Sequence, residues 1–257
     1  MTSARAEILG AIKDALEKGR PPRDKNGDKD GDEAVTGTGA GTGGPFDAAE
    51  QRLKDHPANL IPARGRLGLK ARVDLFIREA ERVNATVARV SSVSGVPREI
   101  ARYLAKNNLP MTLKIAPGTS EAKVPWTEQT LLSVEEGRAD GNEAVSVSRA
   151  FAGVAETGTL VLLSGPANPT TLNFLPPTHV VMISAAEIAG DYEEVWSRLR
   201  ALDGGGDPDR EGRFMPRTVN WITGPSRTAD IEQKLLLGAH GPQRLHIVIV
   251  DDETPGP

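Results

Sequence analysis

The sequence predicts an α/β protein built on a mainly parallel sheet, and three observations carry that expectation. From Phe46 onward, segments of helical period alternate with short strand-like runs. Two of those runs, TLVLL at 159–163 and VVMI at 180–183, are continuously apolar, as strands buried on both faces are. The 27 glycines gather between the runs rather than inside them, which marks loops.

The chain begins with a different kind of segment. Ile8, Leu9, Ile12 and Leu16 fall on one helical face, with Ser3 placed to cap the start. This predicts an amphipathic helix within residues 1–18, either packed on its own domain or docking a partner. Residues 19–45 follow with Pro21, Pro22, an Asp/Lys patch and a Gly/Thr run from Gly37 to Gly44. They hold almost no large apolar side chain, so they bury too little surface to offset their ordering entropy. A flexible linker is expected there. Gly39, Gly41 and Gly44 spell G-x-G-x-x-G, but that motif needs a strand before it and a helix after it. A linker precedes this one and Pro45 follows, so the match is discounted.

The α/β domain is expected over residues 46–252. Leu69, Val73, Phe76, Ile77, Ala80 and Val83 predict a helix of about four turns. Residues 85–90 then read as a strand and 97–106 as a helix, with Pro97 tolerated in its first turn. Residues 111–115 are a strand. After the TLVLL and VVMI strands, residues 191–202 read as a helix with Tyr192, Val195, Trp196 and Leu199 at core spacing. A glycine-rich loop is expected at 203–212, a strand at 219–223, a helix at 229–237 and a last strand at 245–250.

Composition excludes several functions. The net charge is −4 and no Lys/Arg block stands out, which argues against nucleic acid. There is no cysteine, hence no disulfide, no thiol nucleophile and no thiolate-held cluster on this chain. Residues 1–18 are charged throughout and do not read as a signal peptide, and no run is long enough to cross a bilayer. The cytoplasm is the expected compartment. His56, His179 and His246 show no metal-ligand spacing, and no metal site is expected.

Three polar segments are candidates for chemistry, on the rule that open α/β sheets bind ligands beyond the carboxyl ends of their strands. In the first, Glu156, Thr157 and Gly158 precede the TLVLL strand. Glu156 is either a working carboxylate (base, nucleophile or ligand anchor) or an acceptor for backbone N–H groups of a turn. In the second, Gly224, Ser226, Arg227, Thr228 and Asp230 join a strand to the expected helix. Thr228 would cap it, and its free N–H groups with Arg227 could hold an anion, or the segment is ordinary capping. In the third, Gly238 stops the helix, and His240 follows as an acid/base group or a cap for helix carbonyls.

The stretches AETGTLVLL, LPPTHVVMI and TGPSRTADIEQKLLLGAHGP, then LHIVIV, together resemble the lactate-utilisation protein C family, the LUD-domain proteins. The resemblance is strong over residues 148–250 and loose over 46–144. The N-terminal helix, with Arg5, Ile8, Leu9 and Leu16, is similar to that family's start, whereas residues 19–45 have no counterpart. The resemblance implies a three-layer α/β fold shared with CoA transferases, ribose-5-phosphate isomerase and formyltetrahydrofolate cyclo-ligase. It also implies a role in oxidising L-lactate to pyruvate beside iron–sulfur partner proteins, with the clusters on the partners and no cofactor on this chain.

Three functions follow as expectations. The first is a non-redox subunit of a lactate-oxidising iron–sulfur complex. The second is a CoA-transferase-like or isomerase-like enzyme using Glu156. The third is a binding or sensor module for a small carboxylate or phosphate. Glu156, Thr157, Arg227, Thr228, Asp230 and His240 are expected to form one shared polar cluster.

Overall fold

Helix α1 (Leu69–Arg82) turns Val73, Phe76 and Ala80 inward, the face its apolar spacing predicts. It ends where Asn84 takes a left-handed backbone (φ 68°), a conformation asparagine tolerates better than most residues. Helix α2 (Val96–Lys106) carries Pro97 in its first turn and buries Ile100, Tyr103 and Leu104. It is followed by Asn108, again left-handed (φ 52°).

In this computed structural model the described residues are 57, 59–202, 216–231, 234–238 and 240–251, with helical positions at 49, 51, 52 and 55. The chain divides into two units, Met1–His56 and Pro57–Pro257, and every labelled element lies in the second. The expected N-terminal helix, the linker at 19–45 and the loop at 203–212 lie outside the described residues.

Six strands form the main sheet: β1 (Thr86–Val90), β2 (Thr112–Ile115), β3 (Ser133–Glu136), β4 (Val145–Arg149), β7 (Thr178–Ser184) and β12 (Arg244–Val250). Their order is β1-β12-β7-β4-β2-β3, and all five pairings are parallel. A second sheet has the order β8-β5-β6-β9, from β5 (Ala152–Val154), β6 (Thr159–Leu163), β8 (Ile188–Ala189) and β9 (Val219–Ile222). Short helices α3 (Pro117–Glu121) and α4 (Thr171–Phe174) and the longer α5 (Tyr192–Arg200) complete the layers. The N-cap of α5 is Asp191, whose carboxylate accepts from the Glu194 N–H.

Period-2 alternation explains the layering. In β7, Val180 and Met182 face the layer that holds α2, while Val181 and Ile183 face α1 and the second sheet. In β12, Val248 and Val250 face α2, and Leu245, Ile247 and Ile249 face the other way. The second sheet is itself two-sided. Leu160 and Leu162 join the α1 core, and Val161 with Val154 packs on Val195 and Leu199 of α5. Burial on both faces is why these strands read as apolar runs.

One expected element is different. Residues 229–231 and 234–237 are not helical. They belong to an antiparallel hairpin of β10 (Arg227–Ile231) and β11 (Lys234–Leu237), with Arg227 opposite Leu237. Ile231, Leu235 and Leu236 fit a helical period, but a short apolar run fits a strand equally well. Nothing else in the spacing separates the two.

Candidate functional site

One group of buried polar side chains in the main sheet spans β4 and the amino end of β7. Ser146 and Ser148 lie two apart on β4 and so share a face. His179, second residue of β7, pairs in register with Ser146 and sits diagonally from Ser148. Its Nε2 is 2.8 Å from the Ser148 hydroxyl. The same hydroxyl donates to Asn173 Oδ1 at 3.3 Å. Asn173 comes from α4, held in place because Ser146 donates to the Leu172 carbonyl at 2.6 Å.

This network is fully buried, with Asn173 1% exposed and His179 0%. Burial pushes the His179 pKa down to about 3, so its imidazole is neutral at ordinary pH. Two of its atoms have no hydrogen-bond partner, Asn173 Nδ2 and His179 Nδ1.

Both residues line a cavity of about 280 Å3. Its other walls come from the end of β9 (Trp221, Ile222), the turn 223–226, Arg227, the turn 240–242, Phe174 and Leu245. The two turns are tied to each other through Ser226. Its N–H donates to the Pro242 carbonyl at 2.9 Å, its carbonyl accepts from the Gly238 N–H at 2.9 Å, and its hydroxyl accepts from the His240 N–H at 3.3 Å. Gly224 fixes the first turn. It has φ +76°, and a Cβ there would lie 2.3 Å from the Val83 carbonyl oxygen at the end of α1.

Of the residues singled out from sequence, Gly224, Ser226, Arg227 and His240 meet at this cavity. Arg227 and His240 are exposed at its edge. Thr228 and Asp230 continue along β10, so neither caps a helix, and the expected anion site at a helix N-terminus is absent. Gly238 keeps a left-handed backbone (φ +81°), but it follows a strand, and His240 has no helix carbonyls to cap.

Glu156, Thr157 and Gly158 do not line the cavity. They form the turn between β5 and β6. Glu156 is 7% exposed, its N–H donates to the Gly190 carbonyl at 3.3 Å, and its carboxylate stands 4.0 Å from Arg64 Nε. Gly158 (φ +66°) packs against Ala80 of α1. Thr157 is nonetheless connected to the cavity wall. Its hydroxyl lies 2.7 Å from that of Thr159, which lies 2.7 Å from that of Thr223, a lining residue. Tyr192 closes this hydroxyl cluster at 3.0 and 3.1 Å. The single shared cluster expected from sequence is therefore two groups joined by threonines.

The cavity also lies beside the amino ends of β7 and β12, lined by His179 and Leu245, the second residue of each. The rule that looked beyond the carboxyl ends of parallel strands points away from it. Asn173, His179 and Ser148 were missed for that reason. The signal was VSVSR at 145–149, where polar residues alternate on one face of a strand the sequence buries among apolar runs.

Among the described residues, no three His, Asp or Glu side chains group to hold a metal ion, and no helix is long and apolar enough to cross a membrane.

Residues 73–250 match the LUD domain. A lactate utilization protein C from an Exiguobacterium strain is 35% identical over 154 residues, 59% of this chain and 62% of that protein. A lactate utilization protein C from a Geobacillus strain is 33% identical over 115 residues, 44% of this chain and 45% of that protein. An uncharacterized protein of Neisseria meningitidis serogroup B is 36% identical over 103 residues, 40% of each chain. The matched stretch thus spans less than two thirds of each of these relatives. A crystal structure of a DUF162 family protein from Deinococcus radiodurans superposes with a TM-score of 0.50 at 21% identity, over 72% of this chain and 99% of that one. That likeness supports the fold.

Proposed function

Because this chain belongs to the LUD-domain family, we propose that it serves lactate utilisation as the non-redox subunit of an assembly that oxidises L-lactate to pyruvate, with the iron–sulfur clusters on partner proteins. The observation that carries the reading is the shared sequence with proteins named lactate utilization protein C, 35% identical across 154 residues in one case. The composition fits the division of labour, since none of the 257 residues is a cysteine that could hold a cluster by thiolate. The cytoplasm suits such an assembly.

The test is reconstitution. The chain is mixed with its two iron–sulfur partners, isolated as a complex, and assayed for lactate-dependent dye reduction with each component omitted in turn. The reading expects stable association and a rate that falls when this chain is left out.

A second reading, a binding module for a small anion, is favoured by the cavity. Arg227 stands at its edge, and none of the described residues that line it is acidic. An enzyme acting through Glu156 has less support, because that carboxylate lies outside the cavity beside Arg64.

A further inference from the structure

Two large apolar side chains stand exposed at the end of α4. Phe174 is 41% exposed, and Leu175, which follows the helix, is 47% exposed. Neither belongs to the buried core, to which α4 already contributes Leu172. Phe174 forms one lip of the cavity beside β7 and β12, across from Gly241, where a Cβ would lie 3.9 Å from its Cδ1. Trp221, Ile222, Pro225 and Pro242 continue the apolar lining. Exposed apolar side chains grouped in this way, with a polar rim, mark protein–protein contact sites.

The rim here is cationic. Arg227 and His240 are exposed at the opening. Arg244 is exposed at the start of β12, where its N–H donates to the Pro177 carbonyl at 3.1 Å, so it flanks the cleft. Among the described residues none of these three is in an ion pair, whereas Arg89, Arg102 and Arg198 each hold a carboxylate. No acidic residue lines the cleft among the described residues. A surface of this sign on a chain of net charge −4 favours an acidic partner.

A strand edge lies beside it. Arg227 opens β10, and β10 and β11 pair only with each other. A hairpin that joins no larger sheet is marginally stable, and its outer edges carry backbone N–H and C=O groups that a further strand satisfies. The open edge therefore suits an extended segment, the cations suit carboxylates, and the cleft suits an apolar anchor. A second copy of this chain in a two-fold dimer does not fit, because that symmetry sets the cationic rim against itself.

We propose that the cleft between α4, the amino ends of β7 and β12 and the β9–β10 turn, with the β10–β11 hairpin beside it, docks an extended acidic segment of a partner protein. The segment adds as a strand to the hairpin, its carboxylates face Arg227 and Arg244, and an apolar side chain enters between Phe174 and Pro242. That the partner is one of the iron–sulfur proteins rests on the reading above, whereas the surface itself does not.

Fluorescence anisotropy with the purified full chain tests the surface without those proteins. The probe is a labelled peptide of about ten residues that alternates Asp or Glu with Leu and carries one central Trp, so that acidic and apolar side chains fall on opposite faces of a strand. Three controls replace the acids with Lys, replace Leu and Trp with Ala, or methylate alternate backbone nitrogens to block strand addition. The acidic probe is expected to bind, more weakly as salt rises, and each control to bind at least about tenfold more weakly. Arg227→Glu, Phe174→Ser and Leu175→Ser are each expected to weaken the probe by about tenfold. Arg227→Glu and Leu175→Ser, both at exposed positions, keep the test valid if Phe174→Ser does not fold. No binding of the acidic probe, equal binding of the Lys or the methylated peptide, or indifference to Arg227→Glu overturns the proposal. Self-association of the chain that Leu175→Ser abolishes assigns the face to a second copy and overturns it as well. A wild-type chain that binds the probe but not the iron–sulfur proteins upholds the surface and removes the lactate reading. Wild type and Arg227→Glu that bind those proteins equally overturn the surface as their dock.

Discussion

His179 Nε2 lies 2.8 Å from the Ser148 hydroxyl, which fastens β7 to β4 on the face of the main sheet that looks toward the cavity. A polar contact at that depth, with both residues 0% exposed, is stable only with its imidazole neutral. The same holds at His246 on β12, which stacks on Tyr103 at 3.9 Å and accepts or donates to the Thr86 hydroxyl at 2.9 Å.

These two histidines give stability a pH dependence of known sign. Burial pushes His179 down to about 3 and His246 down to about 4, the latter against the opposing pull of Glu99. In the unfolded chain both titrate near 6.5. As pH falls below that value the unfolded state binds protons that the folded state refuses, so stability is full above about 6.5 and is lost progressively toward 4 and 3. Urea midpoints are expected to fall between pH 7.5 and pH 5. His246→Phe keeps the stack on Tyr103 and should flatten part of that slope. An identical slope in the variant would show that His246 contributes nothing to it.

Two turns rest on the end of α1 through glycines. A methyl at Gly224 would lie 2.3 Å from the Val83 carbonyl oxygen, and one at Gly158 would lie 2.3 Å from the Ala80 nitrogen, with both backbones left-handed. Gly158→Ala and Gly224→Ala are each expected to destabilise by about 1–3 kcal/mol or more, read as a lower urea midpoint. Gly224→Ala should also weaken ligand binding, because its turn forms a cavity wall, whereas Gly158→Ala in a still-folded chain should leave binding nearly unchanged.

The core between α1 and the two sheets turns on Phe76, fully buried among Leu160, Ile183 and Ile247. Phe76→Ala is expected to cost about 3–5 kcal/mol by chemical denaturation. A loss under ~1 kcal/mol would mean that this cluster is not tightly packed.

The sequence displays the fold more openly than the site. Strands such as β6 and β7 are legible because burial on both faces forces continuous apolar runs, and α1, α2 and α5 because one-sided burial forces a helical period. The strands β5 and β8 are not, since two or three residues carry too little period, and β3 and β4 are not, since SVEE and VSVSR hold no apolar run. The β10–β11 hairpin fails for a related reason, as Leu235, Leu236 and Leu237 satisfy either geometry. At the site, Gly224, Ser226, Arg227 and His240 stand out because they sit in glycine-containing polar segments between apolar runs. Asn173 and His179 do not, because a single polar residue inside an apolar stretch looks alike whether it serves the core or a ligand.

Glu156 offers a check on the enzyme alternative. A covalent acyl-transfer role predicts an adduct on this residue after incubation with short-chain acyl-CoA. No adduct is expected by mass spectrometry. It also expects Glu156→Gln to change stability by no more than about 1 kcal/mol, given a 4.0 Å contact to an Arg64 that is 55% exposed. An adduct on Glu156 would move the chemistry to the β5–β6 turn.

The most direct test of the central claim is lactate-dependent dye reduction by the reconstituted iron–sulfur partners, with and without this chain. The account predicts that the chain co-purifies with them and that omitting it lowers the rate severalfold. Full lactate oxidation by the partners alone, with no association of this chain, would contradict its place in the assembly.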